Sequence, residues 1–130
     1  ALRDDQLLRD PRAFAARVRA ELHQVVRALA AGDWKEAAAS IRPDRLTWSA
    51  QDLEAAMAPF LAEHEKVDFG PRARQAHMTR IAKTGPRVWE VSQVLPDPAG
   101  EDLWCLEGRI DLSRGKSLES PLFILDRLGT

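Results

Sequence analysis

A chain of 130 residues with 19 Lys and Arg against 20 Asp and Glu carries a formal net charge of −1. That length supports one domain with its own core, and the balance excludes a nucleic-acid binder driven by overall basic surplus while leaving room for a local basic patch. A single cysteine, Cys105, excludes an internal disulfide and fits a reducing, cytoplasmic setting, and no apolar run reaches membrane-spanning length.

The segment before residue 10 reads as a flexible lead-in, covering 1–9 of a single domain over 1–130. The chain opens "ALRDD" without Met, so we expect a piece of a longer protein. Asp10 then Pro11 are an N-cap and a first helical residue. Phe14, Val18, Leu22, Val25, Val26 and Leu29 recur at three- and four-residue steps, so they form one apolar stripe, and Gly32 supplies the stop. Arg12, Arg19 and Arg27 face away from that stripe. Asp33 with Glu36 three residues on is a capping-box-like start to a short second helix. Its Trp34 and Ile41 are placed to anchor it to the first. "SAQDLEAAMAPFLAEH" is a third helix, capped by Ser49, with Leu53, Met57, Phe60, Leu61 and His64 on one face. Pro59 inside it predicts a kink or interruption that wraps the helix over a curved sheet.

From Ala76 the period shifts toward two. Strands are expected over Ala76–Lys83, Val88–Leu95, Leu103–Leu112 and Pro121–Leu128, joined by turns at Gly85-Pro86, "DPAG" and "SRGKS". Short connections make neighbours antiparallel. The predicted class is α+β: three N-terminal helices packed on one face of a curved four-stranded antiparallel meander. "DPAG" fits a type I turn, which sets Leu95 opposite Trp104, Gln93 opposite Leu106, Val91 opposite Gly108 and Trp89 opposite Ile110. The apolar residues then share one face. Glu90 opposite Arg109 and Ser92 opposite Glu107 share the other, and a one-residue slip would scatter the pattern.

Four residues on the inner face mark a candidate cavity or packing site: Trp89, Gln93, Trp104 and Gly108. Gly108 makes room either for an indole or the third helix, as a large-small packing pair, or for a ligand cavity under a bend. Gln93 would orient a small molecule if it lines a cavity, and otherwise hydrogen-bonds a helix end or water. "GPRAR" offers Arg72 and Arg74 as a basic contact for a phosphate backbone, or simply a solvated loop. Glu90, Glu107, Arg109 and Asp111 read as a solvated charge ladder. His23, His64 and His77 have no ligand spacing, so no metal is expected. No nucleotide-phosphate loop and no catalytic constellation is visible, so no catalytic residue is assigned.

The stretches "LRDPRAFAARVRAELHQVVRALAAGDWKEAA", "LEAAMAPFLAEHEKVDFGPRARQAHMTRI", "GPRVWEVSQVLPDPAGEDLWCLEGRIDL" and "PLFILDRLG" span almost the whole chain. Their order is similar to a domain of unknown function at the C-terminus of one family of bacterial DEAD/DEAH-box (superfamily 2) helicases. The resemblance rests on hydrophobic and turn positions, so no helicase residue is carried over. It implies a non-catalytic accessory domain that docks on an upstream motor, or aids engagement of a partner or of nucleic acid. It also implies that ATP and Mg are used only in that motor. By architecture, three helices followed by a four-stranded meander resemble the cystatin-like roll of nuclear-transport-factor-like domains. Those domains often hold a small-molecule cavity or form a homodimer through the sheet. This is analogy of fold only.

Overall fold

Local capping chemistry sets the helices. In the computed structural model, which describes residues 8–113, 118–119 and 121–130, helix α1 runs Pro11–Ala31. The Asp10 carboxylate accepts from the backbone N–H groups of Arg12 and Ala13 at 3.1 Å each. At the other end Gly32 adopts φ 70°, the left-handed cap that glycine takes without penalty. Leu8 and Arg9 are already helical, so the lead-in is shorter than expected, and its first seven residues lie outside the described residues.

Helix α2, Trp34–Ala39, starts on Asp33, whose side chain accepts from Glu36 N–H. The Glu36 carboxylate accepts from Gln24 of α1 at 2.9 Å. Ile41 is buried and Trp34 packs partly buried against the core, as anchors of α2. The full capping box sits instead on helix α3, Ala50–His64, where Ser49 and Asp52 exchange side-chain bonds at 3.0 and 2.9 Å. Pro59 does not interrupt α3. Its ring lies at an exposed position, so the hydrogen bond it removes falls on the solvent side.

Two single 3₁₀ turns, Pro71–Arg74 and Ala76–Met78, precede the sheet. Strands β1 (Thr79–Gly85), β2 (Val88–Leu95), β3 (Trp104–Asp111) and β4 (Ile124–Gly129) pair in chain order, all antiparallel. The fold is α+β, with the helices preceding the strands. The β2–β3 register is the one the turn predicts: Leu95 faces Trp104, Gln93 faces Leu106, Val91 faces Gly108 and Trp89 faces Ile110. Gly100 N–H donates to Asp97 O at 3.0 Å and closes the "DPAG" turn.

Two expected strands are shorter at their starts. Ala76–Met78 is wound into a turn, with Met78 N–H on Gln75 O at 3.0 Å. At Pro121–Phe123 the backbone is engaged elsewhere. Leu122 N–H donates to Glu21 at 2.6 Å, while the Pro121 and Phe123 carbonyls accept from the Arg42 side chain and backbone, each at 2.7 Å. The "SRGKS" turn lies outside the described residues apart from Ser113.

The core forms between the inner sheet face and the helices. Phe14 of α1 meets Trp89 with ring centroids 4.4 Å apart, and Phe60 of α3 meets Trp104 edge-on at 5.5 Å. Helices α1 and α3 therefore share the roof over the two indoles. Trp48 adds a tie from the connector, donating to Leu125 O at 2.8 Å.

Candidate functional site

The four residues placed on the inner face are taken up in packing and hydrogen bonding within the sheet. Trp89 and Trp104 are buried in the core cluster. Gln93 is fully buried, accepts from the Thr79 hydroxyl and donates to Val94 O at 3.0 Å, so its amide has partners within the sheet. Gly108 is required by its neighbour strand. A Cβ there would lie 1.9 Å from the carbonyl oxygen of Ile124 and 2.8 Å from the Phe123 ring. The register between β3 and β4 slips at Glu107/Gly108, and this irregularity brings the β4 backbone into the space. The occupant of the space at Gly108 is thus β4 and Phe123, and neither an indole nor α3.

The two arginines of "GPRAR" part company. Arg72 points its guanidinium at both oxygens of Asp102, at 2.8 and 2.6 Å, and donates to Asp97 O at 2.7 Å. It pins the 3₁₀ turn to the β2–β3 loop and has little capacity left for a phosphate. Arg74 is exposed and, among the described residues, enters no ion pair.

Asp97 organises that loop. It is fully buried, and its carboxylate accepts from Glu101 N–H at 3.1 Å and Asp102 N–H at 2.8 Å. Burial opposes its charge, but these backbone donors and the neighbouring His64 outweigh it and hold the carboxyl below its ordinary range. His64 sits with Nδ1 3.8 Å from Asp97 and Nε2 3.3 Å from Glu63. Glu101 also approaches, so that Glu63, His64 and Glu101 place three possible ligand atoms within 4.8 Å. Glu101 comes from a distant loop, which is why sequence spacing gave no sign of this group. Glu63 and Asp97 thus each stand beside one ring nitrogen of His64 at the C-terminal end of α3.

On the outer sheet face the register sets Glu90 opposite Arg109. Arg109 nevertheless pairs with Asp126 and Asp44, and Arg127 pairs with Glu107 at 2.9 Å. Arg80 and Glu90 share this face and enter no ion pair among the described residues.

An open cleft of about 670 Å³ lies between the N-terminal half of α1 and edge strand β1. Its floor includes Phe14 and Trp89, and its walls carry Arg19, His77 and Lys83, with no carboxylate among the described lining residues; Arg80, opposite Ser92, belongs to the outer sheet face. Lys83 Nζ lies 5.8 Å from the Trp89 ring centroid, in cation–π range. One turn along α1 from Arg19 stands His23. Burial, then Arg74, then Arg19 lower the pKa of His23. Arg19 Nε and His23 Nε2 are buried with no hydrogen-bond partner among the described residues. The motif "GPRAR" offers Arg74, but nothing local in the sequence marks this cleft, because Arg19 and Lys83 come from separate elements.

These features define an α+β domain with helices on one sheet face, a closed inner packing layer and an open cleft between α1 and β1 at one sheet edge. A family described as "Domain of unknown function (DUF3516)" matches residues 2–126, and the chain belongs to that family. No curated protein matches the chain. No solved structure matches it either. Among the described residues no helix is long and apolar enough to cross a membrane.

Proposed function

We propose that this domain is a non-catalytic accessory module of an ATP-dependent DEAD/DEAH-box helicase, acting beside the motor to engage a partner or nucleic acid. The observation that carries the reading is the segregation of charge. Arg72, Arg109 and Arg127 sit against carboxylates, whereas the cations of the α1–β1 cleft have none within ion-pair distance among the described residues. Unpaired cations gathered at one edge of a nearly neutral chain suit an anionic partner. The resemblance of segment order to the helicase C-terminal domain supplies the context, and ATP and Mg would be used in the motor.

The alternative, a small-molecule-binding or dimerising roll, drew on Gly108 and Gln93. The first is filled by β4 and the second is hydrogen-bonded, so both supports weaken. The test is a helicase chain that carries this domain, compared with the same chain lacking it. Reduced unwinding or nucleic-acid affinity at preserved motor folding is expected. Identical unwinding, affinity and partner profile would sink the reading.

A further inference from the structure

We infer that His64, Glu63 and Glu101 form a binding site for a divalent cation of the zinc type, which clamps the C-terminal end of α3 to the β2–β3 loop.

Two observations converge on it. The first is spacing. Each of the three residues places a possible ligand atom within 4.8 Å of the other two. Zinc takes imidazole nitrogen and carboxylate oxygen at about 2.0–2.2 Å, so tetrahedral neighbours stand about 3.3–3.6 Å apart. His64 Nε2 and a Glu63 carboxylate oxygen, at 3.3 Å, already have that separation. Glu101 has to close by about 1.5 Å at most, which the rotamers of an exposed side chain allow. The second is the state of the imidazole. The His64 side chain is 5 % exposed, and among the described residues it makes no hydrogen bond. Its ring packs against Phe60 with centroids 5.1 Å apart. A buried polar group of this kind normally has a partner.

The surroundings fit a cation. Asp97, fully buried, stands 3.8 Å from His64 Nδ1, on the side of the ring away from Glu63. A metal-bound histidine is commonly held through its other nitrogen by a carboxylate in this position. The same Asp97 carboxylate accepts from Glu101 N–H at 3.1 Å, so it also fixes the loop from which Glu101 reaches the site. No Lys or Arg among the described residues is ion-paired with Glu63 or Glu101. One nitrogen and two carboxylates suit zinc and its neighbours, whereas magnesium and calcium favour oxygen alone. Three protein ligands leave the fourth position to water, and both glutamates lie at the surface.

The test titrates the chain with zinc chloride by calorimetry and repeats the titration with magnesium and calcium chloride. Zinc should bind saturably at one site per chain, and more tightly than either of the others. At a hundredfold excess of free zinc over its Kd the melting midpoint should rise by about 9 °C. Loss of an outer-shell partner typically weakens a metal about 10- to 100-fold, so loss of a ligand, in Glu63→Gln or Glu101→Gln, should cost at least tenfold. Glu54→Gln removes the same charge from an exposed position nearer the start of α3, beyond a Debye length of about 8 Å, and should leave affinity within about twofold. Melts without zinc check that the three variants fold. By NMR, zinc should move the ring nitrogens of His64 and leave those of His23 and His77 in place.

Absence of saturable zinc binding overturns the inference. So does binding that survives both Glu63→Gln and Glu101→Gln, equal loss in Glu54→Gln, a zinc response at His23 or His77 instead of His64, or magnesium or calcium bound as tightly as zinc. The site is independent of the accessory role, so neither result bears on the unwinding comparison.

Discussion

Gly108→Ala should be among the most damaging single-methyl changes available in this domain. The added Cβ would stand 1.9 Å from the Ile124 carbonyl oxygen and 2.9 Å from its carbon, with the Phe123 ring at 2.8 Å. Ordinary contact begins near 3.4 Å, so the oxygen must retreat by the difference, about 1.5 Å. The obstacle is backbone in a paired strand, and a rotamer change cannot relieve it. Moving β4 loosens its ladder with β3 and disturbs Phe123, a fully buried core ring. Overpacking a core costs typically 1–3 kcal/mol, and a backbone obstacle puts alanine near the top of that range, at about 3 kcal/mol, with Gly108→Val worse. For a domain of this size the midpoint should fall by about 10 °C. Urea melts give the magnitude, and hydrogen exchange gives the place: amides of Ile124–Leu128 should lose protection while those of β2 keep theirs. A Gly108→Ala protein within about 0.5 kcal/mol of the parent, the range of inert surface changes, would refute the argument that β4 occupies this space.

Other consequences concern the loop and the thiol. Arg72→Gln should cost about 1 kcal/mol, at the low side for charged hydrogen bonds because the site is partly exposed. Arg74→Gln should be neutral within about 0.5 kcal/mol in the same melts. Asp97→Ala removes the acceptor for two loop N–H groups at a buried site and should cost about 1.5–3 kcal/mol by chemical denaturation. Because the folded Asp97 carboxyl titrates below its unfolded value, its contribution is present above the unfolded pKa and fades as pH falls through the folded one. Asp97→Asn should accordingly flatten the acid limb of a stability–pH curve. Burial, then the Glu107 carboxylate, push the Cys105 thiol up to about 11. Cys105 should therefore react slowly with Ellman's reagent at pH 8, and Glu107→Gln should speed the labelling.

The parts of this fold that were legible are those fixed by local rules. Alternation along Val88–Leu95 and Trp104–Asp111, together with the "DPAG" turn, left one register that keeps Trp89, Leu95, Trp104, Leu106 and Ile110 on a single face. That register is the one observed. Caps at Asp10, Gly32 and Ser49 worked for the same reason, since each acts within a few residues. The start of β4 was not legible. Pro121–Phe123 reads as strand by composition, yet its backbone partners are Glu21 and Arg42, which are far away in the chain. The need for Gly108 was visible, but its cause was not, because the slip between β3 and β4 has no local sequence mark.

The candidate site was harder still, because pairing of charge is a property of the fold. Arg72 and Arg74 are separated by one residue in "GPRAR" and look alike as a motif. Asp102 and the Asp97 carbonyl claim the first, and no carboxylate among the described residues claims the second. A net charge of −1 conceals the same distinction over the whole chain. Acids and bases nearly cancel in the count, but Arg72, Arg109 and Arg127 meet carboxylates, while Arg19 and Lys83 enter no ion pair among the described residues. Which cation meets a carboxylate is decided by topology, by which loops and strands the fold brings together, and a count of charges along the chain cannot show it.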